Sequence, residues 1–226
     1  MKLNLKYNLF GVLFVVTTSA FAPANNTFTA AEQQQISIAT PDLFSRSNAI
    51  SIDLSILNDN EYYFPLPVGK AELTDNRQAL DIKSKEGDVV KAMFAGVVRL
   101  SRNVNGYGNV IVIRHDNGLE TVYANNAQNL VKVGQKVSAG RSIAIVGSEG
   151  GKTYCKFAIM VNGGRINPQT IVDPKSHKLN KGVMRFEKNG QRVTVRQATE
   201  KDLEEKLLAD KKGKADAKKT AKEEEK

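Results

Sequence analysis

GGKTYCKFAIMVNGGRINP, residues 150–168, reads as a turn, a buried strand, a Gly-Gly turn and a second short strand. The run from Lys156 to Val161 is short, apolar and closed by Asn162-Gly163-Gly164, which is strand and turn chemistry rather than helix chemistry. The same texture extends upstream. Val89 to Leu100, Val110 to Arg114, Leu119 to Ala124 and Ser142 to Val146 are short Val/Ile-rich stretches. Turn signals separate them at Asn105-Gly106, Asn117-Gly118 and Ala139-Gly140. No convincing long helix interrupts Tyr62 to Pro174. The reading is all-β: a compact, mostly antiparallel barrel or sandwich.

The flanks differ. Residues 1–24 have a charged start at Lys2 and Lys6, an apolar stretch from Leu9 to Val16, and A-x-A-like sites at Ala20–Ala22 and Ala22–Ala24. This is the pattern of a secretory signal peptide, and the apolar run is too short to span a bilayer. Residues 25–60 read as a flexible polar leader with one possible strand, where Ile50, Ile52, Leu54 and Ile56 alternate with polar residues. Residues 175–212 read as a C-terminal hairpin plus a short helix. The expected hairpin turn is Asn189-Gly190, which sets Phe186 opposite Val193 and Met184 opposite Val195. Thr199 caps the helix, and Leu203, Leu207 and Leu208 share its apolar face. Residues 213–226 are a charged low-complexity tail.

The formal net charge is +9 over 226 residues. On an exported chain a positive balance suits anionic envelope partners. No aromatic-rich basic module points to nucleic acid. Cys155 is the only cysteine, so no internal disulfide forms, and it reads as a small buried hydrophobe.

The blocks GDVVKAMFAGVV, NGYGNVIVIRHDNGLETVYA and LVKVGQKVSAGRSIAIVG, followed by KFAIMVNGGRINP, resemble the lysostaphin/LytM-type zinc peptidases of bacterial cell walls. The resemblance covers residues 61–174. It implies a small duplicated-hybrid-motif β-domain with a groove for peptidoglycan peptides. Family enzymes hold one zinc with a His, an Asp four residues later, and the second His of a His-x-His strand. That strand's first His, and another after a Tyr-Ala dipeptide, assist the attacking water. Zinc with three such ligands keeps one position for a water whose pKa drops to about 7.

Carried across residue by residue, the first ligand position is Arg77 and the second is Asp81. The position after Tyr123-Ala124 is Asn125, and the His-x-His positions are Tyr154 and Lys156. The chain has two histidines, His115 and His177. The first reads as a sheet histidine with a local hydrogen bond, the second as a surface residue beyond the domain. The expectation is therefore a degenerate, catalytically inactive member with no metal and no cofactor. Arg77, Lys156 or both are expected to pair with Asp81 in place of zinc, and Tyr154, Asn125 and Arg77 to line a weakly cationic cleft. By analogy with degenerate family members, the resemblance implies an exported regulator of peptidoglycan hydrolases or amidases, in the periplasm or at the cell surface. The alternative is a peptidoglycan-binding or envelope-complex scaffold subunit, and an active zinc endopeptidase with an unusual site is a less favoured one. A lipoyl-like carrier role for Lys91 fits less well, because Lys91 precedes Ala-Met rather than following it.

Overall fold

The computed structural model describes residues 28–190, 192–205 and 208. The expected signal segment 1–24, Leu207 of the expected helix face and the expected tail 213–226 lie outside them. A short helix, α1 (Ala30–Gln34), comes first, followed by strands β1 (Ala49–Asp53), β2 (Lys70–Leu73), β3 (Leu80–Lys83) and β4 (Val89–Lys91). Next come β5 (Gly96–Val104), β6 (Gly108–Arg114), β7 (Leu119–Asn129) and β8 (Lys136–Val137). The series ends with β9 (Ser142–Glu149), β10 (Lys152–Val161), β11 (Gly164–Ile166), β12 (Val183–Asn189) and β13 (Arg192–Gln197). The all-β reading holds. One large antiparallel sheet runs β2-β3-β10-β9-β7-β6-β5-β8, with β11 on β10 and β4 on β9, and β10 also pairs with β7.

β10 sits at the centre because both of its faces are apolar. Cys155, Phe157, Ile159 and Val161 enter the main core with Leu80, Ile82, Ile111, Ile113 and Tyr123. Ala158 and Met160, one step out of phase, join a second cluster with Ala79, Leu100, Val110, Val112, Val122, Ala124 and Ile36. The sheet is thus buried on one face and partly covered on the other. By strand alternation Lys156 and Asp81 belong to this second face.

Residues 28–48 are the first correction. Rather than forming a flexible leader, the segment around α1 and Ile36 packs on that second face, and Leu43 and Phe44 pack against the main core. Thr29 caps α1 in a reciprocal box with Glu32, and Ile36 is buried against the sheet. Beneath them Arg99 and Glu120 are both 0% exposed. The Arg99 guanidinium donates to both Glu120 carboxylate oxygens at 2.7 and 3.0 Å. It also donates to the carbonyls of Glu32, Gln35 (2.9 Å) and Ile36 (2.7 Å). Arg114 joins Glu120 (2.9 Å) to Glu32 (2.7 Å). A polar stretch with no periodicity can still dock when its backbone carbonyls are met by a buried cation.

The possible strand at 49–53 does form, and it belongs with the C-terminal extension: β1, β12 and β13 make a second, three-stranded sheet. Its hairpin is shifted by two residues from the expected register. Asn189 faces Arg192, Phe186 faces Val195 and Met184 faces Gln197. Gly190 (φ +61°) thus follows the last paired residue instead of sharing the turn's centre with Asn189. An even shift keeps every side chain on its face, so Phe186 and Met184 still reach the core. The helical turn at 200–205 docks in the opposite sense from the expected one. Asp202, 5% exposed, faces inward against Arg196 (2.5 Å) and Arg185 (3.1 Å), and Leu203 is 41% exposed. Two strand arginines outcompete a leucine contact because Asp202 also accepts from the Thr199 N–H at 2.7 Å.

Candidate functional site: a groove centred on Lys156

Strand register assembles the site. On β10, Lys156 lies opposite Asp81 of β3 and also opposite Ala124 of β7, while Tyr154 lies opposite Lys83 and Gly147. Positions distant in sequence therefore meet on one face. Lys156 Nζ lies 3.5 Å from Asp81 Oδ1, with both side chains about one-third exposed (34% and 35%). This is an ion pair and not a hydrogen bond, since Asp81 Oδ1 is a buried atom with no hydrogen-bond partner. The ammonium also stands 5.7 Å from the centre of the Tyr154 ring. At this exposure such a pair contributes about 1 kcal/mol or less.

Tyr154 donates its hydroxyl to Glu149 across the β9–β10 hairpin. Burial, and then the Glu149 carboxylate, push that phenol above its ordinary range. Asn125 sits at φ +61°, a region Asn tolerates better than most residues. Its side-chain amide donates to the Tyr154 carbonyl at 2.9 Å, tying β7 to β10. Close approach of β9 makes this possible: a Cβ on Gly147 would lie 2.3 Å from the Asn125 carbonyl oxygen. Arg77, at φ +56°, donates to Gln169 at 3.1 Å instead of pairing with Asp81.

Three hollows meet here, of about 620, 240 and 290 Å³, and Lys156 lines all of them. The largest carries Glu72, Asp75, Asp81 and Glu149 against Lys83, Lys152 and Lys156. The groove is therefore mixed in charge, not weakly cationic, and Arg77 does not line it. Lys83 is engaged by Glu72 at 2.5 Å. Arg165 of β11 stacks over the Tyr107 ring at 5.4 Å, joining a wall of one smaller hollow to a wall of the other. Glu149, Tyr107 and Arg165 were not singled out by sequence. Glu149 could have been, since it and Tyr154 flank the Gly150-Gly151 turn, whereas no local signal joins Tyr107 to Arg165.

His115 is buried. Its Nδ1–H donates to the Ala95 carbonyl (2.8 Å) and its Nε2 accepts from the Thr121 hydroxyl (2.8 Å). Burial lowers its pKa to about 4. This matches the reading of a sheet histidine with local hydrogen bonds. His177 lies at the surface, where its ring stacks on Phe64. Cys155 is a buried free thiol pushed up to about 12, by burial first and then by Asp81. Among the described residues no group of three or more His, Cys, Asp or Glu side chains is arranged to hold a metal ion. No described helix is long and apolar enough to cross a membrane.

Comparison with known proteins bears on this groove directly. Residues 75–168 match the model of peptidase family M23. The murein hydrolase activator EnvC of Escherichia coli is 42% identical over 90 residues, 39% of this chain and 22% of that protein. Outer membrane antigenic lipoprotein B of Haemophilus influenzae is 35% identical over 102 residues, 44% of this chain and 25% of that protein. The murein hydrolase activator NlpD of E. coli is 37% identical over 93 residues, 40% and 24% of the two chains. The matched stretch thus spans about a quarter of each of these relatives. Among solved structures, the catalytic domain of lysostaphin from Staphylococcus simulans aligns at 28% identity with a TM-score of 0.39, over 41% of this chain and 76% of that one. The family match takes in Arg77, Asp81, Asn125, Tyr154 and Lys156, so the groove lies within the stretch that is similar to a peptidase family M23 domain.

Proposed function

We propose that this chain is an exported, non-catalytic LytM-type protein whose groove binds and regulates a peptidoglycan hydrolase or amidase in the cell envelope. The observation that carries the reading is the Lys156 ammonium beside Asp81, at a position where the resemblance implies a zinc ligand. A zinc ion does not fit this donor set. Asp81 is its one anionic ligand, a lysine ammonium has no lone pair to offer, and a guanidinium is not a ligand at all. The cation that balances Asp81 is supplied by the chain itself. Without a bound metal, nothing at Asn125 or Tyr154 activates water: an amide is no base, and the Tyr154 phenol already donates to Glu149. Relatives named murein hydrolase activators and an outer membrane lipoprotein support an envelope setting and a regulatory role.

The test has two arms. Incubated with purified peptidoglycan, the protein alone should release no soluble fragments, with or without added zinc. Added to an envelope amidase from the same organism, it should raise fragment release, and Tyr154→Ala should weaken the effect. Chelator-sensitive release by the protein alone would sink the non-catalytic reading. Unchanged amidase activity in its presence would sink the regulatory one.

A further inference from the structure

Away from the groove, a cleft of about 350 Å³ lies between the segment 59–67 and the loop 173–178. Its walls are mostly rings. Tyr63 is 45% exposed, Tyr62 lies beside it, and His177 is stacked on Phe64 at 3.8 Å with an interplanar angle of 3°. The rings are fixed in position. A Cβ on Gly140 would come within 2.9 Å of the Tyr63 ring, so that ring lies flat on bare backbone. His177 is held at φ +59°, its backbone N–H donating to the Asp173 carbonyl at 2.8 Å. Its Nδ1–H donates to the Pro67 carbonyl at 3.1 Å, which leaves Nε2 as the acceptor nitrogen of the neutral ring. The Ser176 hydroxyl is held by Asp173 at 3.0 Å, and the Asp59 carboxylate completes a polar rim. A non-glycine residue in the left-handed region, over-determined by three contacts, is the kind of local arrangement that binding sites retain.

We propose that this cleft is a saccharide-binding site, separate from the groove and independent of the function proposed above. A pyranose ring has an apolar C–H face to lay on an aromatic ring and a rim of hydroxyls that both donate and accept. Tyr63 and the His177–Phe64 stack offer the faces. Asp59 and His177 Nε2 accept hydroxyl protons, and the Ser176 oxygen can accept as well. An apolar ligand would leave the His177 Nε2 acceptor without a partner.

Titration of the full chain with an N-acetylglucosamine tetramer and, separately, with maltotetraose, followed by amide NMR, tests the assignment. Saturable shifts confined to 59–67 and 173–178, with a Kd of about 1 mM or tighter for at least one sugar, are expected. Tyr63→Ala and Tyr63→Leu should each weaken binding about tenfold or more, the leucine keeping a side chain over Gly140. Asp59→Asn, at a side chain 93% exposed and only loosely paired with Lys181 at 3.7 Å, should weaken it less and leave the thermal midpoint unchanged. Three results would overturn the proposal: no shifts with either sugar at about 10 mM, shifts that map to the Lys156 groove, or folded Tyr63 variants that bind like the wild type. Tighter binding of a single-stranded oligonucleotide at the same residues would also overturn it.

Discussion

Arg99→Met removes the cation beneath the N-terminal segment while keeping a stem of similar length in place. Arg99 donates to both oxygens of Glu120 and to three carbonyls between Glu32 and Ile36. After substitution Glu120 keeps Arg114, so it is under-compensated rather than bare. Breaking a fully buried pair costs about 3–5 kcal/mol. The three carbonyls would each cost about 1–3 kcal/mol more if they stayed buried. They need not, because α1 can lift away and return them to water, at the expense of the Ile36 contact. The expected loss is therefore about 3–5 kcal/mol, not the larger sum. With a urea slope of about 2 kcal/mol/M, the midpoint should fall by about 2 M. Hydrogen exchange should show amides 30–38 losing protection before the sheet does. Arg99→Met combined with Glu120→Leu should recover part of the loss, since two apolar residues leave no buried charge. A single-variant loss below about 1 kcal/mol, with 30–38 still protected, would refute the account of how this segment is held.

Three further outcomes follow from single residues. His115 has a folded pKa of about 4 against an ordinary 6.5. Its contribution is complete above about pH 6.5 and is lost as pH falls toward 4, about 3 kcal/mol in all. His115→Asn should flatten the stability–pH curve across that window by about one proton, and parallel curves would contradict it. Cys155, buried and pushed up to about 12, should resist a thiol reagent in the native protein and react only on unfolding. Labelling at native pH as fast as a free thiol would refute its burial. Gly147→Ala should destabilise by more than about 2 kcal/mol, because its methyl would overlap the Asn125 carbonyl. A thermal midpoint unchanged by that substitution would mean β7 and β9 are further apart than described.

What was legible in the sequence was whatever apolar periodicity encodes. β6, the first half of β7, β9 and β10 were readable because their Val and Ile runs are short and bounded by turn residues. The second half of β7, Asn125–Asn129, was not, because nothing in NNAQN favours a strand. Side-chain amides hold it: Asn129 donates to the Val110 carbonyl at 3.0 Å and Asn109 to the Asn126 carbonyl at 3.0 Å. The apolar run from Val89 to Leu100 looked like one strand and is two. Between β4 and β5 the chain turns to bond Ala92 N–H to Arg141 and to bridge Phe94 with Tyr62. The docking of 28–38 was hidden for a different reason. Its partners, Arg99, Arg114 and Glu120, lie more than sixty positions away, and a buried ion pair leaves no periodic trace. The same holds for Asp202, whose burial depends on arginines supplied by a hairpin. At the groove, the motif spacing located Asp81, Asn125, Tyr154 and Lys156, but the charge of its walls came from Glu72, Asp75 and Lys152, which no motif marks.

At the groove, the side chains of Asn125, Tyr154 and Lys156 each have a partner within it. Asn125 is tied to the Tyr154 carbonyl, the Tyr154 hydroxyl to Glu149, and Lys156 to Asp81. A hydrolytic site needs a group free to take a proton from water at the moment of attack. A binding site needs the reverse: side chains fixed beforehand, so that a partner loses little to ordering them. Each of these contacts is individually weak, and most are partly exposed, so they add little to stability. Their effect is instead to hold the groove's shape. Four carboxylates and three ammonium groups around the largest hollow then present charges of both signs. Such a surface selects a partner by the order of its charges, because a like charge in the wrong place is repelled. Reversing one pair, with Lys156→Asp and Asp81→Lys together, should therefore leave the fold intact and weaken partner binding, an outcome that an electrostatically indifferent groove would not give.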